Sequence, residues 1–284
     1  MSLASLGSGI VQGFVIALVA LGFTLIYRGT RVVNFANGQI MVFGGYLGWI
    51  VFVDAGLPFW MAAVAVALGG AVLGLAIQVG VVEPLRRASL LMRIMAILAL
   101  SLILDGAIAH IFGADARSFP AYASTSALVG GLNWSAMDLW IMGVTTGCVG
   151  GLLLMMYRTE FGLLMRASVD NPAGASLVGI QPNRFGRVAW ILGAGITALG
   201  GILILPKLVL LPSVGISLTF LAFTAVVIGG FGSIGGAILG GLLVGVVQSV
   251  VGSAIGSGYE PLVNLGLMLL ILTIWPTGLW GEDG

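Results

Sequence analysis

The sequence predicts an all-helical integral membrane protein of about eight transmembrane helices, some of them broken or re-entrant. Three observations predict it. First, 59% of the 284 residues are hydrophobic and only 7% are charged. Soluble domains carry about 25% charge, so this chain could not cover a water-facing surface. Second, apolar runs of about 20 residues, the length that crosses a hydrocarbon core, recur along the chain. Third, the cationic residues gather in alternate connections between those runs.

The elements follow in order. Spans are expected near 6–27, 36–53, 59–82, 90–112, 136–157, 186–205, 233–251 and 260–277. An apolar piece near 216–230 is short and broken by glycine, and reads as a re-entrant half-helix. The first run has no basic stretch before it and no small-residue cleavage site after it. It is read as a retained span rather than a signal peptide. Residues 1–284 are taken as one transmembrane domain.

Orientation comes from the basic loops. Arg28 and Arg31 lie in the first, Arg86, Arg87 and Arg93 in the second, and Arg158, Arg166, Arg184 and Arg187 in the third. With the N-terminus extracytoplasmic, nine of the eleven cations face the cytoplasm, and only Arg117 and Lys207 lie outside.

The third basic loop, 158–187, has structure of its own. Phe161, Leu164, Met165 and Ser168 fall at helical spacing. Asn171-Pro172 breaks that helix, because proline disfavours helical geometry in the residue before it. Ala173 to Val178 form a second short helix, stopped by Gly179. The segment is either a loop that fixes topology or a docking element for a cytoplasmic partner.

Glycine is abundant, at 46 residues. Gly232, Gly236 and Gly240 repeat every four residues, a spacing that lets two helix backbones approach closely. The run GGFGSIGG, 229–236, is too glycine-dense for packing alone and marks a helix break, with Ser233 placed to cap the helix that follows. The stretch 32–48 resembles it at an offset of 196 residues: Phe35 aligns with Phe231, and Gly44-Gly45 with Gly240-Gly241. Broken helices line cavities in transporters. Asn34, Asn37, Gln39 and Ser233 are the candidate polar groups there. Their other reading is helix capping at a membrane surface.

Several functions are excluded. The lone lysine, Lys207, is not part of a Gly-Lys-Ser/Thr motif, so ATP is not bound by a P-loop. One histidine and one cysteine make no metal cluster, and no cofactor is expected. Ser233 lacks a glycine two residues before it, so the nucleophile-elbow pattern fails and no catalytic residue is assigned. A net charge of +1 gives no reason to expect nucleic acid. Asp105 lies within a span, where a carboxylate is costly. It opens a second reading, a stand-alone secondary transporter or channel. His110 follows at i+5, a poor spacing for a relay; Asp105 is read as a protonated or hydrogen-bonded packing residue and His110 as a residue of the membrane interface.

Four stretches together resemble a known family: GFTLIYRGTRVVNFANG (22–38), VVEPLRRASLLMRIMAILALSLIL (81–104), EFGLLMRASVDNPAGASLVGI (160–180) and AFTAVVIGGFGSIGGAILGGLLVG (222–245). They are similar to LivH-type permeases of ABC importers for branched-chain amino acids. The resemblance implies a permease in the cytoplasmic (inner) membrane of a prokaryote. Its implied partners are a second homologous permease in a heterodimer, two P-loop ATPase subunits, an extracytoplasmic substrate-binding protein, and membrane lipid. It implies a substrate pathway along Asn34, Phe35, Asn37, Gly38, Gln39, Gly229, Gly230, Gly232 and Ser233. It implies a coupling helix carrying Gly162, Arg166, Ala167, Asn171, Ala175, Leu177, Gly179 and Ile180. Two positions depart from the family, which usually has histidine in place of Asn37 and a neutral amide in place of Asp105. Related permeases carry urea, short amides or other amino acids.

Overall fold

The computed structural model describes residues 3–113, 115–117, 126–129, 132–204, 207 and 210–280. Eleven α-helices account for most of them. They are α1 (Leu3–Thr30), α2 (Asn37–Trp49), α3 (Phe59–Ile77), α4 (Leu90–Phe112), α5 (Ala136–Arg158), α6 (Glu160–Asp170), α7 (Pro172–Leu177), α8 (Pro182–Ile204), α9 (Val214–Gly229), α10 (Ile234–Ala254) and α11 (Glu260–Ile274). Both α2 and α3 end in a wider π turn, Ile50–Asp54 and Gln78–Val82. A two-stranded antiparallel hairpin, β1 (Ser126–Val129) and β2 (Leu132–Ser135), precedes α5.

Among the described residues, six helices are long and apolar enough to cross a membrane: Ser5–Thr30, Phe59–Val82, Leu90–Phe112, Ala136–Arg158, Asn183–Ile204 and Ile234–Ala254. The segments expected at 36–53, 216–230 and 260–277 are helical but shorter. At 1.5 Å per residue, α9 and α11 rise only about 24 and 22 Å, less than a hydrocarbon core of about 30 Å.

Small residues decide how the bundle packs. The central helix, α1, is the most enclosed of the spans. On one side Gly9 and Gly13 meet α10 at Gly245, Val246 and Leu242. On another, Gly22 sits against Gly193 and Thr197 of α8. In turn α8 lies on Gly70 and Gly74 of α3 through Ala194, Ala198 and Trp190, and on Gly44 of α2 through Ala198. Lipid is as apolar as these side chains, so helices associate in membranes through close packing rather than hydrophobic transfer. A Cβ at Gly22, Gly44 or Gly245 would run into neighbouring backbone. Of the expected ridge, Gly236 and Gly240 lie against Gly229 and Ala225 of α9, whereas Gly232 falls in the turn before α10 and meets nothing within 4 Å.

The two ends of the bundle differ in charge. Arg28, Arg31, Arg86 and Arg93 meet at one end, where Arg187 also pairs with Glu83 through bonds of 2.6 and 2.9 Å. The other end has Lys207 on Asp138 at 2.5 Å, and Arg117 stacked over Trp49 at 4.2 Å. There Ser135 and Asp138 form a reciprocal capping box that starts α5.

Candidate functional site: a buried polar junction between broken helices

The first break begins where α1 stops. Arg31 closes the helix in a left-handed conformation, φ 53°, with its N–H donating to the Tyr27 carbonyl. Residues 31–36 then return into the bundle in non-helical form. By Asn37 the chain is level with the middle of α1, because the Asn37 amide donates to the Val19 carbonyl at 3.4 Å. Thr197 of α8 donates its hydroxyl to Asn37 Oδ1 at 3.1 Å. Thus α2 starts inside the bundle, not at its surface.

Its first turn rests on α9. Gly38 N–H donates to Thr219 Oγ1 at 2.8 Å, satisfying one of the four free N–H groups of a helix start. Thr219 in turn lies 3.0 Å from the Gly215 carbonyl and 3.3 Å from the Phe35 carbonyl. A Cβ on Gly38 would collide with the Gly215 carbonyl, so glycine is required by contact here.

Three amides occupy this junction, and each is fully buried: Asn34, Asn37 and Gln39. Asn37 uses its oxygen and nitrogen. Asn34 accepts from Ala36 N–H at 3.1 Å, but its Nδ2 has no partner. Among the described residues, Gln39 has no partner for either Nε2 or Oε1. Leaving such groups unpaired away from water costs about 1–3 kcal/mol each. Groups of this kind are met by ordered water, an ion or a ligand, or mark a functional site.

The second break is made of backbone. Gly230 and Gly232 take φ values of 97° and 84° between α9 and α10. Ser233 accepts from Gly236 N–H at 3.0 Å and caps α10, the role its position suggested. Gly229 and Gly236 lie so close that neither could carry a Cβ. The segment after α11 covers this turn: Leu279 N–H donates to the Ile228 carbonyl at 2.8 Å and Trp280 N–H to the Gly229 carbonyl at 3.1 Å.

An aromatic bridge joins the two breaks. Phe223 of α9 contacts Phe35 from the first, with centroids 5.7 Å apart, and Phe231 from the second, also 5.7 Å. Tyr27 backs Phe231 at 5.1 Å. Among the described residues, no hydrogen bond links Ser233 to the amides, so the expected pathway residues form two clusters around Phe223. Thr197, Gly215, Thr219 and Leu279 escaped the sequence reading. Only the threonines gave a signal, as hydroxyls within apolar runs.

Next to the junction is a void of about 10 Å³ lined by Val19, Ile204, Leu218 and Leu221. It holds no more than one water. Ile204, Leu218 and Leu221 also line a cavity of about 510 Å³ between α9 and α11. Gln12, Gln248, Glu260 and Asn264 give that cavity its polar groups. Gln12 donates to Gln248 at 2.9 Å, and Asn264 Oδ1 is buried without a partner. The small apolar void thus shares Ile204, Leu218 and Leu221 with the chamber, and Val19, whose carbonyl accepts from Asn37, with the junction.

The whole-chain arrangement is similar to a solved structure, PsaBC from Streptococcus pneumoniae in complex with Fab, with a TM-score of 0.50 and 15% identity over 95% of this chain and 91% of that one. The model of the family described as branched-chain amino acid transport system / permease component matches residues 5–272. The chain belongs to that permease family. It is 29% identical to the high-affinity branched-chain amino acid transport system permease protein BraD of Pseudomonas aeruginosa, over 99% of this chain and 96% of that one. Identity to LivH of Escherichia coli K12, described in the same words, is 28% over 97% and 94%. To the probable branched-chain amino acid transport permease protein LivH of Methanocaldococcus jannaschii it is 30% over 98% and 92%. The permease is a multi-pass membrane protein.

In the permease, 160–180 forms two short helices, as expected. Thr159 caps α6 by accepting from Gly162 N–H at 3.2 Å. Asn171 ends α6 and caps α7, accepting from Gly174 N–H at 2.8 Å. Gly179, φ 84°, lets Ile180 N–H fold back to the Ala175 carbonyl at 2.9 Å. Gly162 and Ala175 are buried; Ala167 is exposed. Arg166 is occupied within the permease, stacked 5.1 Å over Tyr157 with its Nε 3.4 Å from the Gly162 carbonyl. The free surface is instead the tip, where Leu177 is 90% exposed and Val178 75%.

Asp105 sits half-buried on α4, and its Oδ1 has no partner among the described residues. His110 is exposed and, among the described residues, makes no hydrogen bond to Asp105.

Proposed function

We propose that this permease is one membrane-spanning subunit of an ABC importer in the inner membrane of a prokaryote, translocating branched-chain amino acids or a closely related small amino acid or amide. The N-terminus lies outside, residues 1–284 act as one domain, and separate subunits hydrolyse ATP. The observation that carries this reading is the set of buried amides, partly unpartnered, at a helix break inside a bundle that belongs to a transport family. Broken helices offer polar groups to substrate where the surrounding helices are apolar.

The route follows from the chamber. Substrate delivered by an extracytoplasmic binding protein enters the 510 Å³ cavity, whose apolar wall accepts a branched side chain. Ile204, Leu218 and Leu221 close the way inward. Their separation would bring the substrate to Asn34, Asn37 and Gln39, where amides replace lost water. Passage toward the second break follows Phe223 and Phe231, past Gly229, Gly230, Gly232 and Ser233. The two packings are biased by ATPases that bind one of them better. Those ATPases dock on α6 and α7, with Leu177 and Val178 inserted into the partner and Gly162, Arg166, Asn171, Ala175, Gly179 and Ile180 shaping the mount. A second, homologous permease completes the assembly as a heterodimer.

Purification of the tagged chain from its own membrane in mild detergent tests the assembly. A second permease and P-loop ATPases should accompany it, and vesicles holding the complex and binding protein should take up leucine only with ATP inside. Recovery of the chain alone, with uptake indifferent to ATP, would overturn the proposal. In the same vesicles Leu177→Asp should remove ATPase binding while the membrane bundle stays folded. Arg166→Glu should weaken coupling less, because that side chain lies against its own helix.

A further inference from the structure

The basic end of the bundle holds a second cavity, of about 180 Å³, that the transport route does not use. It lies among the end of α1, the loop after α3, the start of α4 and the side of α6. Arg28, Arg31, Arg86 and Arg93 line it, with Gln78 and Ser168. The single acid on its wall, Glu83, is already held by Arg187, and that pairing keeps the Glu83 carboxyl below its ordinary value of 4.5. The four cavity arginines make no ion pair among the described residues.

Two details point to a ligand rather than a repelling cluster. Gln78 is 96% buried, since its exposure is 4%, and its Oε1 has no partner; Arg93 Nε is likewise buried and unpartnered. Arg31 holds the one left-handed non-glycine backbone among the described residues, at a helix end where glycine is the usual solution. A charged side chain is kept there although the left-handed conformation disfavours any residue with a Cβ. Four guanidiniums around a space about six times the ~30 Å³ share of a liquid water suit an oxyanion with several acceptor oxygens.

The surroundings select the kind of anion. Val32, Val82 and Arg93 also line an apolar crevice that runs on to Leu85 and Ile97. Beside it, Leu90, Leu91 and Met95 of α4 are exposed. A charged head site therefore opens onto an apolar track. Basic pockets between membrane helices bind anionic lipid headgroups in this way.

We propose that this cavity binds the phosphate headgroup of an anionic phospholipid, whose acyl chain lies along α4. Because Ser168 and Val169 of α6 form part of the wall, an occupied site ties α6 to the ends of α1 and α3. The bound lipid thereby stiffens the segment that carries the exposed Leu177 tip.

The test uses the full-length chain in mild detergent with whatever subunits accompany it. Binding of phosphatidylglycerol, of phosphatidylcholine with the same acyl chains, and of inorganic phosphate is measured by native mass spectrometry and by the shift in thermal unfolding. Phosphatidylglycerol should bind and raise the midpoint, and the other two should not. Arg31→Gly removes the charge while relieving the left-handed backbone, so the fold survives. It should weaken phosphatidylglycerol roughly fivefold, the value of about one basic contact. Arg86→Gln, at an exposed position, should do the same, and the double variant should approach the phosphatidylcholine level. Equal binding of both lipids, or unchanged binding in the variants, would overturn the site. Phosphate alone reproducing the full shift would overturn the lipid as its occupant.

Discussion

The two helix breaks share a sequence pattern and are built from different materials. At the first, the chain re-enters the bundle and carries amide side chains into its interior: Asn34, Asn37 and Gln39 are fully buried. At the second, Gly230 and Gly232 turn the backbone, Ser233 caps the next helix, and the segment ending at Trp280 pairs with the exposed carbonyls. One break stores unsatisfied side-chain hydrogen bonds; the other has its backbone groups covered. Phe35 and Phe231 occupy equivalent sequence positions and pack on the same ring, Phe223. The comparison teaches that a repeated motif can supply a recognition element in one half and a hinge-like turn in the other.

The largest effect should come from closing the first break. Gly38→Val drives a side chain into the Gly215 carbonyl and Thr219. Overpacking against backbone costs about 3 kcal/mol or more, so the variant should show a sharply lower thermal midpoint in detergent. A near-normal midpoint would mean that α2 does not start against α9.

Gln39→Leu should separate stability from function. It replaces a buried amide with two unpartnered atoms by an apolar group of similar size, and stability should rise by about 1–2 kcal/mol. Transport should fall at least tenfold in vesicles. A stable, fully active variant would remove Gln39 from the pathway. Thr219→Val is the complementary change. It strips the acceptor from Gly38 N–H and should cost about 1–2 kcal/mol, read from the same unfolding curves.

The second break should tolerate more. A Cβ at Gly232 meets nothing within 4 Å, so Gly232→Ala carries only the left-handed backbone cost of about 1 kcal/mol. Hydrogen exchange confined to 228–236 should quicken, with the first break unaffected. The smallest effect lies outside both. Glu83 titrates low because Arg187 hydrogen-bonds its carboxylate. A depressed carboxyl contributes stability above the unfolded value of about 4.5 and loses it as pH falls through the folded value. Wild-type stability should therefore drop slightly more steeply below about pH 4.5 than that of Glu83→Gln, as followed by thermal scans across pH.

The sequence by itself determined the helical class and nearly every helix position. Those follow from local rules: apolar length, proline at 172, glycine at 179, and the cap at Ser233. It also located both breaks, because glycine density and buried amides are visible in one dimension. The two-helix form of 160–180 was legible for the same reason. What the tertiary structure decided was depth and partnership. Only packing could carry Asn37 back to the level of Val19, since a short extended segment can end at the surface or return inward with equal local ease. Only packing could place Thr197 and Thr219 on α2, cover the second break with residues near 279, and stack Arg166 on Tyr157 while leaving Leu177 exposed. These contacts join residues up to about 180 positions apart, and no local pattern records them, because their energy lies in backbone approach between helices rather than in the preference of any residue.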